Sequence, residues 1–88
     1  MTFVATEQFW KSFYKLSPAQ KESVREKWRV FQRDPFDPSL GVHKIERLSA
    51  IAKHTIRSVV IEDDLRVIFR IDGSVITTID VGDHDIYK

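Results

Sequence analysis

Three arginines, a histidine and a tyrosine in the C-terminal half of the chain are the side chains whose types and spacing could do chemistry together. Arg66 and Arg70 alternate with apolar residues in a run of β-formers, so both point to one face of a strand. Arg57 lies in the β-rich run before it. A guanidinium matches two phosphate oxygens at once, so this set suits a phosphodiester backbone. His84 has a reference pKa near 6.5 and fits an acid or a base. Tyr87 supplies a second acid or a ring on which a base can stack. The bland alternative is a half-exposed antiparallel sheet whose arginines pair with Asp80, Asp83 and Asp85.

Other chemistries find no support. His43, His54 and His84 stand at spacings that match no metal-ligand motif. The chain has no glycine-rich phosphate loop and no nucleophile elbow. Cysteine is absent, which removes disulfides, thiolate zinc sites and cysteine nucleophiles. No metal and no cofactor is expected, and His43 is expected to cap or hydrogen-bond a loop.

The elements that must position these residues are readable in order. Thr2 to Ala5 reads as a short strand. Thr6 caps a helix whose Phe9, Phe13 and Leu16 make a buried face, widened by Trp10 and Tyr14. Ser17-Pro18-Ala19-Gln20 is a capping box with proline at the first helical position, so a second helix starts there and runs to about Arg33. Its apolar stripe is Val24, Trp28 and Phe31, beside a basic stripe of Lys21, Arg25, Arg29 and Arg33. Asp34-Pro35 ends it. After an irregular loop from Pro35 to Gly41, Val42 to His54 is open between helix and loop. Thr55 to Ile61, Leu65 to Ile71 and Ser74 to Val81 then read as three strands of a meander, so the class is α+β: one sheet packed on a helical hairpin.

Register decides which side chains share a face. An Asp72-Gly73 type I′ turn pairs Ile71 with Ser74, Arg70 with Val75 and Arg66 with Ile79. Leu65, Val67, Phe69 and Ile71 then form the face that packs on the helices. If Ile61 pairs with Arg66, Arg57 falls opposite Arg70 and joins the polar face. A slip by one residue would send its guanidinium to the core side at high cost, which favours this register.

With 88 residues the chain makes one domain, 42 % hydrophobic and 31 % charged. The net charge is only +1. Residues 1–34 hold seven basic and four acidic side chains, a net of +3; residues 35–88 hold seven and nine, a net of −2. Binding to nucleic acid must therefore come from a local patch. No apolar run is long enough to span a membrane, and Glu7 interrupts any signal-peptide core, so a cytoplasmic protein without membrane contact is expected.

Several motifs, in their order, resemble the RelE/ParE superfamily of toxins from bacterial type II toxin–antitoxin pairs. They are Asp34-Pro35-Phe36-Asp37-Pro38-Ser39-Leu40 before His43-Lys44-Ile45, Ile56-Arg57-Ser58, Asp64-Leu65-Arg66-Val67-Ile68-Phe69, and Ile79-Asp80-Val81-Gly82-Asp83-His84-Asp85. The resemblance implies a short strand, a helical hairpin and a three-stranded meander. It also implies a ribosome-dependent endoribonuclease that cuts mRNA by metal-free 2′-hydroxyl attack, with a cognate antitoxin, the ribosome and mRNA as partners. Arg66 is similar to the arginine at the transition-state phosphate in RelE- and YoeB-type members. His84 falls on a functional histidine of YafQ-type members, and Tyr87 on the C-terminal aromatic of RelE-type ones. Arg66, His84 and Tyr87 are thus the implied catalytic residues, and Arg57, Arg70 and Lys44 are the expected RNA contacts. The superfamily also holds ParE-type gyrase poisons. The near-neutral charge, and Asp80 where YafQ-type members carry arginine, keep open a non-catalytic module that acts only by binding a protein.

Overall fold

Capping residues decide where both long helices begin. In the structure, a computed structural model that describes residues 1–52 and 54–83, helix α1 spans Glu7–Tyr14 and α2 spans Pro18–Arg33. Thr6 accepts a hydrogen bond from the Phe9 amide at 3.1 Å. Ser17 and Gln20 close the capping box reciprocally at 3.0 and 3.2 Å. Each bond satisfies an amide that the first helical turn leaves without a carbonyl partner. Asp34 is extended ahead of Pro35 and stops α2.

Among the described residues, five strands form one sheet: β1 (Thr2–Ala5), β2 (His43–Lys44), β3 (Ile56–Glu62), β4 (Leu65–Asp72) and β5 (Val75–Gly82). Their spatial order is β1-β5-β4-β3-β2, with β1 parallel to β5 and the other neighbours antiparallel. The expected α+β class, hairpin and meander are present. The stretch left open, Val42 to His54, supplies edge strand β2 and a short helix α3 (Glu46–Ala52).

One sheet face packs on α1 and α2. Phe9, Phe13, Val24 and Phe31 from the helices meet Val59, Val67, Phe69 and Ile76 from the sheet. Phe31 and Phe69 make an edge-to-face contact at 4.8 Å between ring centroids. As expected, Leu65, Val67, Phe69 and Ile71 all turn to this side. Trp10 and Tyr14 do not widen the buried face: they are 45 % and 68 % exposed. Phe9 and Phe13, four apart, fill the contact stripe of the two-turn α1, and each next residue is rotated about 100° towards solvent.

Two β-bulges alter the expected register. At the β3–β4 turn, Glu62 faces Leu65 around Asp63-Asp64, in keeping with the predicted pairing. A bulge between Val60 and Glu62 then inserts one residue, so Val60 rather than Ile61 faces Arg66, and Arg57 faces Phe69 rather than Arg70. Ile61 is buried in the core and Glu62 accepts a hydrogen bond from Ser23 of α2 at 3.0 Å, so both turn towards the helices. At the β4–β5 turn, Asp72 pairs with Val75 around Gly73-Ser74. Gly73, at φ +60°, is first of two loop residues, a type II′ pattern instead of the type I′ turn expected. The shifted turn moves the pairing by two residues, so Arg70 faces Thr77 rather than Val75, and a second bulge at Ile79 adds one more, so Arg66 stands opposite Gly82, not Ile79. The freed Ile79 carbonyl accepts the Thr6 hydroxyl at 2.7 Å, which ties the start of α1 to β5.

Candidate functional site

The candidate site is the sheet face turned away from the hairpin. Ile56, Ser58 and Val60 of β3 and the even-numbered residues of β4 point there, because Val59 and Ile61 of β3 and the odd-numbered residues of β4 turn to the core side. Ile68, buried, separates the partly exposed Arg66 and Arg70 along β4. Four residues of strand hold the two arginines roughly 13 Å apart at the backbone, too far to grip one phosphate together but suited to neighbouring ones.

A row of side chains crosses this face from strand to strand: His43, Ser58, Ile68 and Asp80 stand directly opposite one another. Ser58 is fully buried, and its hydroxyl lies 3.3 Å from Nδ1 and 3.2 Å from Nε2 of the exposed His43 ring. The Gly41 carbonyl is 3.3 Å from Nδ1. His43 therefore does hydrogen-bond a loop, as expected, but its strand pairing also aligns it with the arginine face. Sequence reasoning missed that alignment because β2 is only two residues long and shows no alternation.

The predicted residues divide between the two faces. Arg66 and Arg70 share the open face. Lys44 pairs with Arg57, and both stand on the helix side at the margin of the sheet. Lys44 contacts Glu46 at 3.5 Å, and the Arg57 guanidinium sits 5.6 Å from the Phe36 ring centre. The cost predicted for turning Arg57 inward is avoided because the position lies beyond the helices, where a partly exposed cation rests on an aromatic face. His84 and Tyr87 lie outside the described residues.

Neither open-face arginine is idle. Arg66 Nη1 donates to the carbonyls of Asp63 and, at 3.2 Å, Leu65. Arg70 Nε stands 3.0 Å from Asp72 Oδ2, an ion pair without hydrogen-bond alignment, and His54 Nδ1 lies 3.8 Å from the other oxygen of Asp72. The two guanidiniums are thus drawn to opposite ends of β4. Near the Arg66 end, a cleft of about 470 Å³ is lined by Glu62, Asp63, Asp64 and Asp83 together with Lys15. Among the described residues, no three His, Asp or Glu side chains converge as a metal-ligand set, and no helix is long and apolar enough to cross a membrane.

No protein-family model and no curated protein matches the chain. Solved structures do. A YoeB/ParE toxin from Agrobacterium tumefaciens superposes with a TM-score of 0.74 at 20 % identity, over 96 % of this chain and 99 % of that one. YafQ from E. coli strain BL21(DE3) gives 0.73 at 15 % identity, over 96 % and 93 %. A chain of the archaeal RelE–RelB complex from Pyrococcus horikoshii OT3 gives 0.71 at 18 %, over 93 % and 92 %. The chain therefore has the RelE/ParE toxin fold nearly end to end.

Proposed function

We propose that this chain is the toxin of a bacterial type II toxin–antitoxin pair and acts as a ribosome-dependent endoribonuclease on mRNA. The observation that carries the reading is the pairing of Arg66 with Gly82. It sets an arginine of the open face beside the point where the chain leaves β5 towards His84 and Tyr87.

In the proposed reaction the 2′-oxygen of a nucleotide attacks its own 3′-phosphorus. A base accepts the 2′-hydroxyl proton, the P–O5′ bond breaks, and an acid returns a proton to the 5′-oxygen. The products are a 2′,3′-cyclic phosphate and a 5′-hydroxyl. Arg66 exchanges its two carbonyl acceptors for the charge that grows on the phosphate in the transition state. Arg70 holds an adjacent phosphate after Asp72 yields it. His84 and Tyr87 are the proposed proton carriers, with His43, on the face of Arg66 and Arg70, a further candidate. Arg57 and Lys44, on the other face, reach RNA only if it wraps the β2 edge. A protein antitoxin is the proposed partner; RelE was solved in complex with RelB.

The acidic cleft beside Arg66 favours a second reading, a ParE-like module that binds protein and cuts nothing, since four carboxylates repel a phosphate backbone. Inducible expression followed by mapping of mRNA 5′-ends separates the two. Cuts within translated frames are expected; gyrase-linked DNA breaks without such cuts would replace the first reading by the second.

A further inference from the structure

The two arginines of the open face are held differently. Arg66 donates to backbone carbonyls, which are neutral acceptors. Arg70 stands 3.0 Å from a charged one, Asp72 Oδ2. This ion pair is local: the residues lie two apart on β4, so their side chains leave the same face about 7 Å from each other. The residues opposite Arg70 on the neighbouring strands, Ile56 and Thr77, carry no charge. The side chains of Arg70 and Asp72 are 40 % and 43 % exposed, so an incoming anion can reach the pair.

A carboxylate and a phosphate make the same demand on a guanidinium, two oxygens within reach of its fork. Asp72 thus occupies the group that a phosphodiester would use. Its hold is incomplete, because Arg70 Nε is shielded from water and still has no aligned hydrogen-bond partner. A surface ion pair stabilises by a factor of about 1.4 to 5, which a nearby phosphate can overcome. Asp72 also has a second partner to turn to: its other oxygen lies 3.8 Å from Nδ1 of His54, just ahead of β3.

On the reading of the open face as an RNA site, we propose that Asp72 is an internal phosphate mimic that masks Arg70 and weakens the binding of free RNA. RNA arriving from dilute solution must displace Asp72 without help. RNA already anchored at Arg66, or held in place by a larger assembly, presents its next phosphate to Arg70 at an effective concentration of about a millimolar and displaces the carboxylate readily. The mask therefore selects for RNA that is held over the face and against RNA that merely collides with it. Once displaced, Asp72 turns to His54, and Arg70 carries its full charge to the phosphate.

The probe is a short labelled single-stranded RNA, titrated with the full-length protein at low salt and followed by fluorescence anisotropy. Asp72→Ser should bind it about three- to tenfold more tightly than the parent, from release of the ion pair and loss of a negative charge beside the phosphate. Serine avoids the deamidation to which an Asn-Gly step at Gly73 would be prone. The slope of log affinity against log salt should steepen by about 0.7, as for one further phosphate contact on a single strand. The gain must run through Arg70, so in an Arg70→Gln background the same substitution should change affinity by less than about 1.5-fold. Asp72→Thr, read the same way, guards against a local change at the turn, and circular dichroism checks that each variant is folded. An equal gain in both backgrounds would be a general charge effect and overturns the mask. Parental binding with no gain in Asp72→Ser also overturns it and leaves the RNA reading of the face standing. Binding by neither protein removes both.

Discussion

The two faces of the sheet are built from the same strands and obey different rules. The face on the hairpin is a continuous apolar surface in which Val67, Phe69, Val59 and Ile76 belong to one buried cluster. Its residues are held by bulk and are exchangeable in kind. The open face is a sparse set of polar groups: Arg66, Arg70, Asp80, and His43 on Ser58. Which of them meet depends on register to a single residue, because a one-residue shift carries a side chain through the sheet. The lesson is that stability and candidate function are sensitive to different errors in the same strands.

The largest expected effect breaks the covered face. Phe69→Ala removes a ring with no exposure, packed on Phe31, and should cost about 3–5 kcal/mol. Most of that loss should appear as a lowered midpoint in urea unfolding; a midpoint equal to the parent's would mean that Phe69 does not face the helices.

The next effect tests the open face alone. Arg66→Ala should leave the unfolding midpoint near the parental value and reduce RNA cleavage by about 10²–10³, the usual loss for one transition-state contact. Arg57→Ala, on the other face, should change cleavage by much less. Equal losses in the two variants would show that RNA contacts the helix-side margin as well, and undiminished toxicity of Arg66→Ala would sink its catalytic assignment.

A smaller effect lies where the faces are joined. The Thr6 hydroxyl both caps α1 and holds the bulge carbonyl of Ile79. Thr6→Val should cost roughly 1–2 kcal/mol. Hydrogen exchange should then rise first at the α1 amides; protection lost uniformly across the protein would place the role of Thr6 elsewhere.

The smallest effect concerns the loop after α2. Hydrogen bonds from the Ser39 hydroxyl and then the Ser39 amide hold the Asp37 carboxyl below its ordinary value of 3.8. A carboxyl whose pKa is depressed on folding adds stability above its unfolded pKa and loses that stability as pH falls through the folded one. The parent should therefore be slightly more stable than Asp37→Asn near neutral pH, and the two thermal midpoints should converge below pH 3.8. A gap that widens in acid would reverse the assignment.

Much of the architecture was legible from local signals. Thr6, Ser17-Pro18 and Asp34-Pro35 specify helix ends through bonds made within a few residues, and the alternation from Leu65 to Ile71 names the buried face of β4. The open face was legible in part. Arg66 and Arg70 declare themselves by standing two apart from Ile68 on one strand, where no partner is needed to know that they point the same way.

What only the tertiary structure decided is the relation between strands. The insertion at Ile61 is compatible with the β-forming run from Ile56 to Glu62, and nothing local marks it. It is selected by packing, since Ile61 fills the core while Glu62 reaches Ser23 on a helix 39 positions earlier in the chain. The consequence falls on Arg57, which leaves the arginine face for Phe36. His43 joins that face by the same kind of long-range choice, a two-residue strand that exists only because β3 offers it an edge. Local sequence thus determined where α1 and α2 begin, which side of β4 is apolar, and that Arg66 and Arg70 share one face. The company those arginines keep was settled by strand pairing and bulges, whose energies come from contacts far apart in the chain.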